Sequence, residues 1–484
     1  MSLVLVPILA QALAIGVGDR SELRYRSEPL ADTREDAWEA ETRPYANVEL
    51  RGKRASIGAD YSPTFFYAPL EEDPKLTVMH AVSANVRLLL RSRHTSVTFE
   101  ERASYLQENF SLQALSAPRL DATAFAPDMM PGAGDPGAGM GGAGPDASPG
   151  ADASAPARER SSRETLNWGG VRSSVSVSHQ ASRKTAVDGY VGYAITGGLD
   201  APSREVYPIQ YGPDAGISFS YLASRRDTLV TSAAGQLTLT PAGERALSVA
   251  ATQGVKHRFN KRTVGDVRAG LAYTRTEPLD EPAFDGLYPA GGAGLEYWRL
   301  LEGGTLTLSL TSELSPVVDQ STIRFDPRVQ SSASASYSRR KLTVFAVVTS
   351  VLSLEPESPQ ALNTYGARAG LSHRTTVRLT LYSYLEAARS SRPNGNQRLD
   401  SLTGAAGASY DLGAGFFAET GARGAYQRFE AEDIVPASFA AFVALSWRAM
   451  LLGARQAGAG ASYAPAGPSL APGGASLAPA GARP

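Results

Sequence analysis

The candidate general bases in this chain are five histidines, His80, His94, His179, His257 and His373. They lie far apart, and no HExxH or paired-His spacing joins them, so a histidine zinc site is not expected. There is no cysteine, which excludes disulfides, thiolate metal ligands and cysteine nucleophiles. No serine sits in a Gly-x-Ser-x-Gly elbow. His94, His257 and His373 fall in or beside short basic turns, and His179 closes a strand; His80 lies inside a strand near Asn85 and Glu101. The adjacent carboxylates Glu100 and Glu101 point to opposite faces of a strand and cannot share acid–base work. The sequence therefore reads as a non-enzyme that needs no cofactor and no metal.

The charged residues that remain fall on the polar faces of strands: Arg87, Arg91, Arg172, Asp266, Arg268, Glu313, Arg378 and Glu386. Charges of both signs, turned inward, either line a water-filled bore or pair to fill it. The mixture argues against a strongly ion-selective pore. Over the whole chain 47 Lys and Arg meet 48 Asp and Glu, a net charge of −1, without the basic excess of a nucleic-acid protein.

The elements that must hold these residues alternate with period two. In 305–314, Leu306, Leu308, Leu310 and Leu314 alternate with Thr305, Thr307, Ser309, Thr311 and Glu313. In 171–180, Val171, Val175 and Val177 oppose Arg172, Ser174, Ser176 and Ser178, and in 375–386 Val377, Leu379, Leu381 and Leu385 oppose Thr376, Arg378, Thr380 and Glu386. Such segments are strands with one apolar and one polar face. Many run well past the usual ~5–6 residues and match the ~9–11 that a tilted strand needs to cross a bilayer. They come in hairpins joined by a recurrent basic turn, as in Ser182-Arg-Lys, Ser224-Arg-Arg, Asn260-Lys-Arg and Ser372-His-Arg, while the other ends carry longer loops rich in Pro, Asp and Glu. Short turns at one end and long loops at the other fit neither a propeller blade nor a soluble sandwich; they fit a closed membrane barrel, because hydrocarbon tolerates no unpaired sheet edge.

Nineteen segments qualify as strands. Setting aside the first, 45–51, as periplasmic or partly inserted leaves about 18 strands, within a range of 16–20. The predicted class is an all-β, transmembrane antiparallel β-barrel over 44–452. It is preceded by a signal peptide over 1–14, with the A-x-A sequence Ala12-Leu13-Ala14, and by a periplasmic segment over 15–43. The Gly-, Pro- and Ala-rich stretches 127–158 and 453–484 are expected to be disordered, the first as a loop insertion. Because a tail follows the last strand, the aromatic signal for membrane insertion is expected inside that strand, at Phe442 or Trp447.

The body resembles bacterial outer-membrane β-barrel proteins. The resemblance lies in layout, not in a motif. More loosely, it is similar to the large barrels that partner periplasmic polysaccharide export proteins, whose size and strand number it shares. The resemblance implies an outer-membrane location and a polar conduit. The implied partners are outer-membrane lipid, the barrel-insertion machinery, a periplasmic export protein and a polysaccharide; no nucleic acid is expected. A lumen rich in Ser, Thr, Tyr and Arg suits a hydroxylated polymer, although no aromatic stripe along an inner wall is legible. A general diffusion porin, and a structural or adhesive barrel working through the long 108–164 loop, remain alternative readings.

Overall fold

The computed structural model describes residues 12–30, 33–52, 54–67, 76–109, 165–206, 208–279, 282–318, 325–353, 363–391, 398–429 and 437–452. The segments 127–158 and 453–484, and residues 1–11 of the expected signal peptide, lie outside them.

The strands are β1 Ala12–Leu30, β2 Thr33–Arg51, β3 Ala55–Tyr61, β4 Thr64–Tyr67, β5 Leu76–Met79, β6 Ala81–Arg91, β7 Thr95–Asn109 and β8 Thr165–Gln180. Then come β9 Thr185–Gly198, β10 Gln210–Leu222, β11 Asp227–Leu239, β12 Arg245–Arg258, β13 Thr263–Glu277, β14 Phe284–Leu301 and β15 Gly304–Val318. The last are β16 Phe325–Arg339, β17 Leu342–Ser353, β18 Asn363–Arg374, β19 Leu379–Ser391, β20 Arg398–Gly413, β21 Phe416–Phe429 and β22 Ala437–Leu452. All 22 belong to one antiparallel sheet, and β1 pairs with β22, so the sheet closes on itself.

These strands make twenty staves. β2 pairs with both β3 and β4, β3 with β6 and β4 with β5, so the third and fourth staves are each broken in two. The break falls at Ser62-Pro63 and at His80. Proline cannot donate to the ladder, and the backbone resumes through reciprocal hydrogen bonds between Ser62 and Ala81, 2.9 and 3.3 Å. The count is twenty rather than eighteen because residues 15–43, expected to be periplasmic, form most of the first two staves. β1 and β2 pair in unbroken register from Ala12 with Arg51 to Leu30 with Thr33. The segment 45–51 is the end of β2. The A-x-A sequence over 12–14 likewise lies within β1. The physical reason is the composition of the outward face: Asp19 and Ser21 interrupt its apolar set, so the alternation of β1 hides beneath its charges.

Nine hairpins turn at one end through two to four residues, and Ala12 and Leu452 lie at that same end. The turn sequence explains itself. The first polar residue accepts the N–H of the basic residue two places on: Ser182 from Lys184 at 3.1 Å, Ser224 from Arg226 at 3.0 Å, Asn260 from Arg262 at 2.7 Å and Thr376 from Arg378 at 3.2 Å. At the other end the connection from β9 to β10 carries a short helix, α1 Ala201–Val206. Asp200 precedes it and accepts the Ser203 N–H at 2.8 Å; hydrogen bonds from Ser203 and then Asn167 hold the Asp200 carboxyl below its usual range.

Residues opposed in the ladder share a face, so the register divides every stave into an inward and an outward set. Exposed apolar residues such as Val175, Val177, Leu308, Leu310, Val348, Leu385, Val443 and Leu445 fall on one face, and the buried charges Glu22, Arg24 and Glu39 fall on the other. A barrel with apolar residues outside and charges inside is built for hydrocarbon outside and water within. Val348 is outward and 56% exposed; Thr349 is inward, opposite Ser332. Val348→Arg should cost about 2–4 kcal/mol of folding into lipid if that position lies near the bilayer midplane. Thr349→Arg should cost far less. Urea titration of both variants in vesicles checks this, and equal costs would overturn the register of β17.

Candidate functional site

The inner wall is the site, and its densest chemistry lies where the first and last strands meet. Glu22 of β1, 7% exposed at its side chain, accepts Nη1 and Nη2 of Arg423 on β21, each at 3.2 Å, and Nη2 of Arg20 at 3.2 Å. Arg20 also donates to Glu419 of β21 at 2.6 Å. Arg24 donates through Nε to Glu39 of β2 at 2.5 Å and through Nη1 to Glu41 at 3.4 Å, and Glu41 also meets Arg43. The hydroxyl of Tyr382, on β19, donates to Glu419. The bonds from β21 to β1 must pass over β22. They can do so because β22 turns Ala440 and Ala444, 5% and 2% exposed, to the same face.

That device recurs. Arg172 on β8 reaches Asp214 on β10 at 2.9 Å across β9, where Gly192 stands opposite Asp214. Arg268 on β13 and Glu313 on β15 both stand opposite Gly292 of β14; Arg268 also lies 3.7 Å from Asp266. At Gly192, as at Ala440 and Ala444, a small inward residue lets the charges on the flanking strands pair over it.

Of the residues expected to line the bore, Arg87, Arg172, Asp266, Arg268, Glu313 and Glu386 occupy inward register positions. Arg87 stands opposite Glu100, which accepts Nε of Arg102 at 2.7 Å, and Glu386 stands opposite Arg368. Arg91 is inward at the foot of β6, opposite Ser96. Arg378 is a correction. It lies in the turn before β19, exposed, because Thr376 and not Ser372 nucleates that turn by accepting the N–H groups of Arg378 and Leu379. The histidines keep to the ends or the outer face: His179 meets Thr95 at 2.8 Å, His257 meets Asp227 at 2.5 Å, and His80 stacks on Tyr61.

The inner wall does carry aromatics, capped by guanidinium groups. Arg423 lies 4.1 Å over Phe442, Arg24 5.3 Å over Phe66, and Arg368 5.6 and 5.5 Å over Phe345 and Tyr384. Phe442, one of the two aromatics expected to signal insertion, is thus inward and buried, while Trp447 is outward.

Away from the seam the wall is hydroxylic. On β15 and β16 the inward pairs are Thr305 with Ser338, Thr307 with Ser336, Ser309 with Ser334 and Thr311 with Ser332. On β17, Thr343 and Thr349 flank the inward Phe345 and Val347. On β7 and β8, Ser96 faces Ser178 and Thr98 faces Ser176.

A closed twenty-stave antiparallel barrel, apolar outside and polar within, defines a transmembrane barrel of the outer-membrane type. Residues 125–449 match the EpsX exopolysaccharide export family, and the chain belongs to that family. No curated protein matches it. Among solved structures it is similar to the FrpB iron transporter from Neisseria meningitidis (F3-3 variant), with a TM-score of 0.48 at 7% identity, over 92% of this chain and 82% of that one. Pseudomonas aeruginosa OpdL gives 0.39 at 10% identity over 92% and 100%, and Acinetobacter baumannii OccAB2 gives 0.42 at 11% over 92% and 99%.

Proposed function

We propose that the protein resides in the bacterial outer membrane and passes an exopolysaccharide through its lumen to the cell surface, receiving it at the short-turn end from a periplasmic export protein. The observation that carries this reading is the hydroxyl strip on β15 and β16. Ser and Thr side chains both donate and accept, so they exchange hydrogen bonds with sugar hydroxyls at no cost in net charge. A row of equivalent partners, repeated along β15 and β16, gives a sliding polymer successive similar sites instead of one deep well. Conduction needs binding firm enough to enter and weak enough to leave. The protein performs no covalent chemistry on the polymer in this reading.

Deleting the gene should abolish surface exopolysaccharide, trap polymer in the periplasm and leave uptake of small solutes unchanged. Normal surface polymer with reduced solute uptake would refute the reading and favour a diffusion porin.

A further inference from the structure

The short-turn rim carries a charge asymmetry that neither the fold nor the lumen network requires. Seven of the nine turns hold Arg or Lys; Arg93, Lys184, Arg226, Arg262, Lys341 and Arg378 lie at or beside the tips, all exposed. Within the turn segments the acid among the described residues is Glu302. Of the nearby carboxylates, Asp227 meets Ser224 and His257 and Asp411 accepts the N–H of Gly413 at 2.8 Å, while Glu49 and Asp188 lie further up the inner wall. Among the described residues of the opposite end, Arg275 pairs with Glu277 and Arg389 with Asp400, each at 2.7 Å. The basic ring also continues into the bore, because Arg91 and Arg258, both exposed, occupy inward register positions at the feet of β6 and β12.

We propose that this rim is an electrostatic mouth for an anionic polysaccharide, one bearing carboxylate or comparable acidic groups; this rests on the conduit reading above. A one-signed ring at the opening of a low-dielectric wall focuses its field and concentrates counter-ions at the entrance. The inward Arg91 and Arg258 favour a ligand in the bore over lipid headgroups, which reach only the outside of the rim. The ring need not hold the thread back. For a polymer longer than the channel, each step moves one repeat from bulk to bulk, so attraction inside the channel cancels over the step. The field acts on capture of the leading end.

The test uses the purified full-length barrel in planar bilayers, with oligogalacturonate and a maltodextrin of equal length as probes, each added to either side. Oligogalacturonate should block the ionic current at about tenfold lower concentration than maltodextrin, from one side only. The advantage should fade as salt rises from about 0.1 M to about 1 M. It should fall in the R93Q/K184Q/R226Q/R262Q/K341Q variant, whose folding is checked by heat-modifiable gel mobility. Equal block by both sugars, or unchanged block in the variant, overturns the proposal alone. Block by neither sugar overturns it together with the conduit reading. A variant that loses bound phosphatidylglycerol by native mass spectrometry yet keeps the sugar block also overturns it, and gives the ring to headgroups.

Discussion

Replacing Glu22 with Ala should cost the barrel about 3–5 kcal/mol, because it strands positive charge that has little access to water. Arg20, Arg24 and Arg423 converge on this one carboxylate, with side chains 20%, 5% and 16% exposed. Arg20 and Arg24 retain Glu419 and Glu39, whereas Arg423 loses the two hydrogen bonds that its guanidinium donates to Glu22. Arg102→Ala is the control. Its pair with Glu100 is 35% and 26% exposed, and such pairs contribute about 0–1 kcal/mol. A double-mutant cycle with Glu22→Met and Arg423→Met should show strong coupling, since removing both partners strands less charge than removing one. Denaturant titration in vesicles, followed by tryptophan fluorescence, measures each term. If Glu22→Ala costs no more than Arg102→Ala, the seam network is not what holds the first and last staves together.

A second large effect concerns the bore. The chain has no cysteine, so one introduced thiol reports on its own surroundings. Ser176 is inward and exposed, opposite Thr98; Val177 is outward and 39% exposed. A Ser176→Cys thiol in water can ionise and react with a water-soluble maleimide, whereas a Val177→Cys thiol in hydrocarbon stays protonated and inert. Cells carrying Ser176→Cys should release polymer normally until treated with a maleimide-linked polyethylene glycol, and release should then fall about tenfold or more, a barrier change of about 1.4 kcal/mol or more. Labelling of both thiols at the same rate would show that this face of β8 is not the inner wall. Full labelling of the Ser176→Cys variant with undiminished release would place the polymer's path elsewhere.

Much of the barrel was legible because its middle staves show clean contrast. On β15 every inward residue from Thr305 to Ser315 is hydroxylic or acidic and the outward ones are mostly Leu, so period two declares the strand, its faces and its register together. β1 shows no such contrast. Its inward set Arg20, Glu22, Arg24 alternates with Asp19, Ser21, Leu23, and a reader of hydropathy sees only a polar stretch after an apolar one. The first two staves and the whole seam network are illegible in the sequence for that reason. The signal that remained was alternation of charge itself, Arg, Glu, Arg at every second place, answered by Glu39, Glu41 and Arg43. The place of Arg378 is ambiguous in the sequence for a smaller reason: Ser372 and Thr376 both precede basic residues, and only the hydrogen bonds show which one makes the turn. The inward aromatics were hidden because they lie on different strands, Phe345, Tyr384, Phe442 and Phe66, and no single segment carries a run of them.

The seam has a consequence for how the protein comes into being. Its clamping bonds join residues 399 and 401 positions apart, Arg20 to Glu419 and Glu22 to Arg423, nearly the full length of the described chain. Every other ladder can form between neighbours as they arrive, but this one waits for the end of β22. Closing so long a loop has an entropic cost that rises only slowly with length, yet bonds of such sequence separation form late on the folding route. A chain truncated before β21 would therefore keep Glu22 and Arg20 on an open edge, their partners never made. Completeness of synthesis is registered in the same bonds that shut the ring, and an unfinished copy would present two raw strand edges to whatever removes failed proteins.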